Sequence, residues 1–192
     1  EDYISRYRSR LSHYRFSIYV GLQGIGKTSL LFRLLEESES IGMETALYLP
    51  VNPGETVVSL LARVEIRLTG RASQALENKA DSFRRLVDIL SDHKALAVLD
   101  DLHNLRTEDL APLVRTCKAC EGHYRLLGAM QYEPDIAAMD KAGLHIELLK
   151  PLSAETVGAV VASYGLGSAA RAQLVEDASR GGSSGHPLTL SI

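Results

Sequence analysis

The sequence lacks several features that mark particular classes of protein. It has 192 residues, with no tryptophan, three phenylalanines and only two cysteines. Two cysteines are too few for a disulfide-stapled secreted domain, which favours a reducing cytoplasmic location. No apolar run approaches the roughly 20 residues that a membrane-spanning helix needs, and no signal-peptide pattern is recognised. The formal net charge of −3 argues against a strongly basic nucleic-acid-binding surface, although a local basic patch stays open.

Motifs of other enzyme classes are missing as well. The six histidines are scattered, with no H-E-x-x-H spacing for zinc, and no G-x-S-x-G marks a serine nucleophile. Cys117 and Cys120 form one C-x-x-C pair, but a zinc or redox site needs a second ligand pair or a thioredoxin-like context. Both cysteines continue the apolar stripe of a predicted helix, so we interpret them as core thiols.

One stretch of the sequence matches a specific functional motif. Residues 21–28 read GLQGIGKT, the G-x-x-x-x-G-K-T pattern of a phosphate-binding loop. The run Phe16–Val20 predicts a strand that leads into the loop, and leucines at helical spacing from residue 27 to 37 predict a helix that leaves it. The alternative is a chance glycine-rich turn before a helix. The predicted nucleotide-binding residues of this loop are Gly21, Gln23, Gly24, Ile25, Gly26, Lys27, Thr28 and Ser29.

The residue types in this loop match the chemistry of phosphate binding. Glycines let the backbone turn successive N–H groups toward phosphate oxygens, and the helix N-terminus adds partial positive charge. We expect Lys27 to reach the β- and γ-phosphates as a catalytic cation and the Thr28 hydroxyl to coordinate Mg²⁺. No N-K-x-D guanine motif is present, so the sequence favours ATP or ADP as the nucleotide.

A second motif supplies the acids that such a site needs. The apolar run Ala95–Leu99 predicts a strand buried on both faces, and it ends in Asp100 and Asp101. We predict that Asp100 holds Mg²⁺, directly or through a water, and that Asp101 orients or deprotonates the attacking water. For Asp101 the alternative is a helix cap or a solvated acid.

Alternating strand and helix patterns over residues 1–150 predict a parallel, doubly wound α/β sheet. An amphipathic helix is predicted over residues 1–15, where a solvated surface is favoured over phosphate or DNA contacts for the arginines. The predicted strands are residues 16–20, 44–51, 95–99, 124–130 and 145–149, and the predicted helices are residues 27–37, 55–68 and 107–120, with one more capped by Asp81. Residues 151–192 predict only helices, so we expect a partial helical lid and a longer parent protein.

These motifs together resemble those of the AAA+ and STAND groups of P-loop ATPases. GHPLTL at residues 185–190 is similar to the G-x-P-L-x-L of NB-ARC-type signalling ATPases, and the resemblance places Pro187 against the adenine. LDDLHNL at 99–105, GAMQYEPDI at 128–136 and LLKPLSAETV at 148–157 instead resemble ExeA-type and transposition-helper ATPases. Asp101 replaces the glutamate usual in the second group, and the Thr-Thr-Arg of the NB-ARC type is missing.

The resemblance implies a five-stranded sheet in the order 5-1-4-3-2 with a helical lid. It also implies that Gln131, at the end of the strand after the two acids, senses the γ-phosphate; the alternative is an ordinary loop glutamine. The implied function is Mg²⁺-dependent, slow ATP hydrolysis that switches conformation and assembly with other copies or domains in a STAND-like protein. A helper ATPase for secretion or transposition and a non-hydrolysing assembly module stay open as alternatives.

Overall fold

The computed structural model describes residues 7, 9–11, 13–71, 78–132 and 144–150. Within these ranges the chain forms five β-strands and four α-helices, besides the helical residues 7, 9–11 and 13 near the start of the chain. The strands are β1 (Phe16–Val20), β2 (Thr45–Pro50), β3 (Ala95–Asp100), β4 (Arg125–Met130) and β5 (Leu144–Leu148). The helices are α1 (Lys27–Glu36), α2 (Val57–Thr69), α3 (Lys79–Asp92) and α4 (Thr107–Ala119), with short 3-10 helices at Glu39–Ile41 and Leu102–Asn104.

All five strands form one parallel sheet in the order β2-β3-β4-β1-β5. This is the order 5-1-4-3-2 read from the other edge, so the predicted fold is confirmed. The inner strands β1 and β3 are buried along their whole length, whereas the edge strands β2 and β5 are partly exposed. The residues of β3 form a continuous apolar run because of this two-sided burial, since both faces of a parallel sheet are covered by helices.

Alternate residues of the strands pack into two separate hydrophobic cores, one on each face of the sheet. On one face, Ile18 and Leu99 pack among the apolar side chains of α2, α3 and α4. On the other face, Tyr19 and Val98 pack with α1 and with Leu11. Burial of each such large apolar side chain contributes about 1.5–3 kcal/mol, so the two cores hold the three layers together. The result is a sandwich of helices, sheet and helices.

The predicted first helix is helical where it is described, at residues 7, 9–11 and 13, and it ends before Tyr14. Its apolar side chain Tyr7 is buried and meets the ring of Tyr19 on β1 edge to face, with ring centroids 5.6 Å apart. Arg10 forms an ion pair with Glu147 on β5. The predicted solvated surface is therefore wrong for this arginine, which ties the helix to the sheet instead.

Two predicted helix starts differ from the structure. Helix α2 was expected from residue 55 but begins at Val57, because Thr56 and Ser59 form a capping box in which each side chain accepts the other's backbone N–H. The prediction that Asp81 caps α3 is wrong. Asn78 takes that position in an extended conformation, its side-chain oxygen accepts the Ala80 N–H at 2.9 Å, and Asp81 lies in the first turn.

The strand bounds differ from those predicted by at most one residue. The predicted lid over residues 151–192, which includes Pro187, lies outside the described residues. Among the helices that the structure describes, none combines the length and the apolar character needed to cross a membrane.

Cys117 is buried in the core, 2% exposed, as predicted, and Cys120 is half-buried at its edge; both thiols are free. Burial raises the pKa of the Cys117 thiol to about 12, since desolvation disfavours the thiolate. The Tyr124 hydroxyl donates to the Cys117 carbonyl oxygen at 2.9 Å, which fixes the end of α4 against β4. This surrounding is that of a structural thiol rather than a reactive one.

The cap of α3 can be tested by comparing two substitutions in the same helix turn. We expect Asn78→Ala to lower the free energy of unfolding by about 1 kcal/mol, because the Ala80 N–H loses its acceptor. Asp81→Ala should cost less, about 0.5 kcal/mol, because it removes only the favourable charge near the helix N-terminus. Urea unfolding monitored by circular dichroism measures both values. A larger loss for Asp81→Ala than for Asn78→Ala would contradict the assigned cap.

The two thiols should differ in reactivity. At pH 8 a thiol-specific reagent is expected to modify Cys120 at least about a hundredfold faster than Cys117, because the reacting thiolate of Cys117 is both scarce and buried. Mass spectrometry of the alkylated peptides separates the two rates, and unfolding in guanidinium chloride should bring them together. Equal rates in the folded protein would show that Cys117 is not in a closed core.

Candidate functional site

The glycine-rich loop leaves the sheet between its two neighbouring strands. The Gly21 N–H donates to the Met130 carbonyl at the end of β4 at 3.1 Å, and the Leu149 N–H donates to the Val20 carbonyl at 2.8 Å. A Cβ atom at Gly21 would lie 3.0 Å from the Ile25 side chain, so the loop folds tightly over its own start. The loop therefore lies at the carboxyl edge of the sheet, anchored on both sides.

Two glycines give the loop its shape. Gly24 has φ 78° and Gly26 has φ 98°, backbone conformations that residues with a Cβ atom adopt only at a cost. Gly26 occupies the N-cap of α1, and its carbonyl accepts the Leu30 N–H at 2.9 Å. No acidic residue occupies the first turn of α1, so nothing there offsets the positive end of the helix dipole. This edge of the loop is suited to an anion.

Lys27 is folded into the loop that precedes it. Its ammonium group donates to the carbonyl oxygens of Gly21 at 2.8 Å and Leu22 at 2.9 Å, and the residue is 7% exposed. Burial lowers the pKa of Lys27, while the nearby charges of Asp100 and Asp101 act in the opposite direction. The ammonium group is thus held by the loop and feels the charges of the two acids that the sequence predicted.

The loop and the acid strand meet through one hydrogen bond. The Thr28 hydroxyl donates to Asp100 Oδ2 at 2.8 Å, although the two residues are 72 positions apart in the chain. Asp100 is 4% exposed at the end of β3, and its other oxygen accepts the Asp101 N–H at 3.0 Å. The structure thus brings together the two residues that we predicted as the metal site.

These two residues fit Mg²⁺. A hydroxyl and a carboxylate are the hard oxygen ligands that this ion prefers, and the ion is usually held by one or two protein groups together with substrate phosphates. In the described part of the chain, no group of three or more histidine, cysteine or acidic residues is gathered in a way that could hold a metal alone. A magnesium ion at Thr28 and Asp100 would therefore take the rest of its ligands from phosphate and water.

Asp101 has the unusual backbone of a strand-end turn. Its φ of 55° lies in the left-handed region, which aspartate tolerates better than most residues. It is half-buried and stands at the N-terminus of the short helix Leu102–Asn104, but its side chain makes no capping hydrogen bond there. Of the two alternatives left by the sequence, the helix cap is thus not observed, and the solvated acid still competes with the catalytic role.

The remaining predicted residues lie around the same edge. Gln131 is exposed and directly follows Met130, whose carbonyl holds the Gly21 N–H. The side chain of the next residue, Tyr132, is 60% exposed, and its ring lies 5.6 Å from that of His103 behind the two acids. Gln23 in the loop and Thr28 and Ser29 in the first turn of α1 are exposed, and Ile25 is buried beneath the loop.

One residue of this site was missed by sequence reasoning. The Tyr48 hydroxyl on β2 donates to Asp100 Oδ2 at 2.8 Å, the same oxygen that Thr28 contacts. The signal in the sequence is a tyrosine hydroxyl within the apolar run of residues 46–51. Its meaning depends on the register of β2 against β3, which pairs Tyr48 with Val98 and Pro50 with Asp100.

Comparison with known proteins agrees with this geometry. A family model described as AAA domain matches residues 9–132, which is more than half of the chain. No curated protein matches the sequence. Among solved structures, Cdc6p from Pyrobaculum aerophilum is 16% identical with a TM-score of 0.62, covering 83% of this chain and 48% of its own.

Two further solved structures show the same fold. The ORC1 protein of Aeropyrum pernix, in complex with DNA, is 18% identical with a TM-score of 0.63, covering 97% of this chain and 57% of its own. A STAND protein with a tetratricopeptide repeat sensor from Pyrococcus horikoshii is 18% identical with a TM-score of 0.59, covering 96% of this chain and 28% of its own. The chain spans about half the length of the first two proteins and about a quarter of the third. By its family match, its sheet order and its phosphate-binding loop, this chain belongs to the AAA domain family of AAA+ P-loop ATPases.

Proposed function

We propose that this chain binds ATP together with Mg²⁺, hydrolyses it slowly, and uses the nucleotide state as a switch of conformation and assembly. The observation that carries the proposal is the 2.8 Å hydrogen bond between Thr28 and Asp100, which joins the phosphate-binding loop to the acid strand. A glycine-rich loop alone occurs in many settings. A loop whose threonine contacts a buried strand-end carboxylate is the arrangement that a phosphate-bound metal requires.

The loop residues divide the work of binding phosphate. Backbone N–H groups around Gly24 and Gly26, at the N-terminus of α1, would surround the phosphate oxygens. The Lys27 ammonium would exchange its two carbonyl partners for the β- and γ-phosphates. Thr28 and Asp100 would hold Mg²⁺, which supplies charge stabilisation for the phosphates when bound.

Hydrolysis needs a group that handles the attacking water. We assign this role to Asp101, which follows the metal-site acid and whose charge acts on Lys27. Gln131 follows β4 beside the loop and is proposed to sense the γ-phosphate. Pro187, in the segment that resembles an NB-ARC motif, is proposed to lie against the adenine. An arginine that completes the site would come from a neighbouring copy or domain, which accounts for slow intrinsic turnover.

The proposed biological setting is a STAND-like signalling or regulatory protein. Its support is the GHPLTL segment and the similarity in fold to a STAND protein from Pyrococcus horikoshii. The alternative is a helper ATPase for secretion or transposition, and the DNA-bound ORC1 structure of similar fold is the finding that keeps DNA among the partners to be tested. DNA that stimulates ATP hydrolysis by the full-length protein, in proportion to its binding, would favour this alternative.

The binding step can be tested at Lys27. We expect Lys27→Ala to weaken ATP binding about ten- to a hundredfold, because the phosphates lose a charge-assisted hydrogen bond of about 1.5–3 kcal/mol. Titration of the protein with a fluorescent ATP analogue measures the loss. Lys118→Ala is the matched control, since Lys118 is an exposed lysine near the C-terminus of α4, at the opposite end of the sheet. Equal affinities of wild type and Lys27→Ala would rule out the phosphate-binding loop.

The catalytic step can be tested at the two neighbouring acids. Asp101→Asn keeps the size of the side chain but removes the charge that would activate water, so we expect hydrolysis to fall by about 10²-fold or more. Its affinity for ATP with Mg²⁺ should stay within about threefold of wild type, because Asp101 is not the metal ligand. Asp100→Asn should instead raise the concentration of Mg²⁺ that binding requires.

The assay should use the full-length protein under single-turnover conditions, at concentrations that allow assembly. Hydrolysis by Asp101→Asn at the wild-type rate would remove this residue from the catalytic role. If wild type binds ATP but shows no turnover in any assembled state, the non-hydrolysing assembly module replaces the ATPase as the proposed function.

A further inference from the structure

The carboxylate of Asp100 is held by a tyrosine from the neighbouring strand. Tyr48 lies on β2 opposite Val98, and because side chains two apart on a strand share a face, Val98 and Asp100 point to the same side of the sheet as Tyr48. From there the phenol reaches along the strand direction to Asp100 Oδ2, with an O–O distance of 2.8 Å. The contact thus connects the edge strand of the sheet to the metal-site acid.

The ring of Tyr48 is itself fixed by the helix that follows the phosphate-binding loop. It stacks on Phe32 of α1, with ring centroids 4.5 Å apart and an angle of 26° between the planes. Such aromatic pairs contribute about 0.5–1.5 kcal/mol beyond the area that they bury. Phe32 follows Thr28 by one helical turn. Tyr48 therefore contacts Asp100 through its hydroxyl and, through its ring, contacts Phe32 on the helix that also carries Thr28.

The hydrogen bonds around Asp100 leave its carboxylate little freedom. Oδ2 accepts from Thr28 and Tyr48, and Oδ1 accepts the Asp101 N–H. A carboxylate offers about four lone-pair sites, so these three donors fix its orientation and leave about one site, on Oδ1, for a further partner. Because Asp100 is only 4% exposed, a missing donor would not be replaced freely by solvent.

The phenol is suited to remain a donor. Oδ2 of the Asp100 carboxylate is an acceptor, so the phenol is the donor of this 2.8 Å hydrogen bond. A neutral donor of this kind can orient a metal-binding carboxylate without competing for the metal. Partners of this kind typically change metal affinity by about 10- to 100-fold when removed.

We propose that Tyr48 is a positioning residue of the magnesium site, which holds the Asp100 carboxylate in the orientation that leaves Oδ1 for the ion or its water. The inference rests on the proposed function, since it assigns Tyr48 to the ATP-bound metal. It identifies a determinant of metal affinity on the edge strand β2, outside both the phosphate-binding loop and the acid strand.

The test is the Mg²⁺ dependence of nucleotide binding by the full chain. Tyr48→Phe keeps the ring stacked on Phe32 and removes only the hydroxyl. We expect it to raise the Mg²⁺ concentration for half-maximal binding of a fluorescent ATP analogue by about tenfold or more, with metal-free affinity changed less than about twofold. The readout is binding, so it does not depend on turnover.

Tyr124→Phe is the matched control. It removes a buried tyrosine hydroxyl that donates to a backbone carbonyl at 2.9 Å, directly before β4 and therefore at the end of the sheet opposite to Asp100. It should cost stability in thermal unfolding but leave the Mg²⁺ dependence at the wild-type value. A merely structural role of the Tyr48 hydroxyl predicts instead that both variants behave alike.

Two further variants keep the inference falsifiable. In an Asp100→Asn background, Tyr48→Phe should have no additional effect on the Mg²⁺ requirement, because the group that it positions has lost its charge. Should Tyr48→Phe not fold, Phe32→Leu loosens the ring while sparing the hydroxyl, and we expect a shift in the same direction of about threefold.

Magnesium-dependent binding by wild type with an unchanged requirement in these variants would overturn the role of Tyr48 alone. Absence of magnesium-dependent nucleotide binding by wild type would overturn the proposed function and this inference together.

Discussion

The candidate site depends on the hydrogen bond from Thr28 to Asp100, and the topology of the sheet brings these two residues together. Thr28 lies in the first turn of α1, after the loop that follows β1, and Asp100 ends β3; β1 and β3 are separated in the sheet by β4. The carboxyl ends of parallel strands lie at the same end of the sheet. A loop that follows one strand and an acid that ends another therefore meet there, although they are far apart in the sequence. Burying a carboxylate without hydrogen-bond donors would destabilise the fold, and the hydrogen bond from Thr28 also removes that destabilisation.

The burial of the sheet explains why the chemistry lies at its edge. Strands β1 and β3 are covered on both faces, so their interiors carry almost only apolar side chains, and polar groups enter where the strands end. Tyr48 satisfies its hydroxyl by reaching to the strand-end acid, and it does so from a half-buried position on an edge strand that can accommodate a long polar side chain.

Much of this arrangement could be predicted from the sequence, because local sequence motifs and hydrophobic periodicity determine it. The GLQGIGKT loop, the apolar run before Asp100 and the five strands all depend on residues close together in the chain. The strand order came from resemblance rather than from periodicity. Tyr48 could not be predicted, since its role requires the register of β2 against β3. The cap of α3 was misassigned because Asn78 and Asp81 are both good caps, and only the extended backbone at Asn78 separates them.

The loop is also connected to the chain that leaves the sheet. Lys27 holds the carbonyls of Gly21 and Leu22, and Gly21 lies against Leu149, whose N–H donates to the Val20 carbonyl at 2.8 Å. When phosphates compete for the Lys27 ammonium, those two carbonyls lose their donor and the start of the loop must find new partners. Leu149, just after β5, would respond to this change in the proposed switch, because it contacts that start directly. In the proposed switch, this contact couples nucleotide binding to the polypeptide beyond the sheet, while Tyr48, Thr28 and Asp100 keep the metal side of the site fixed.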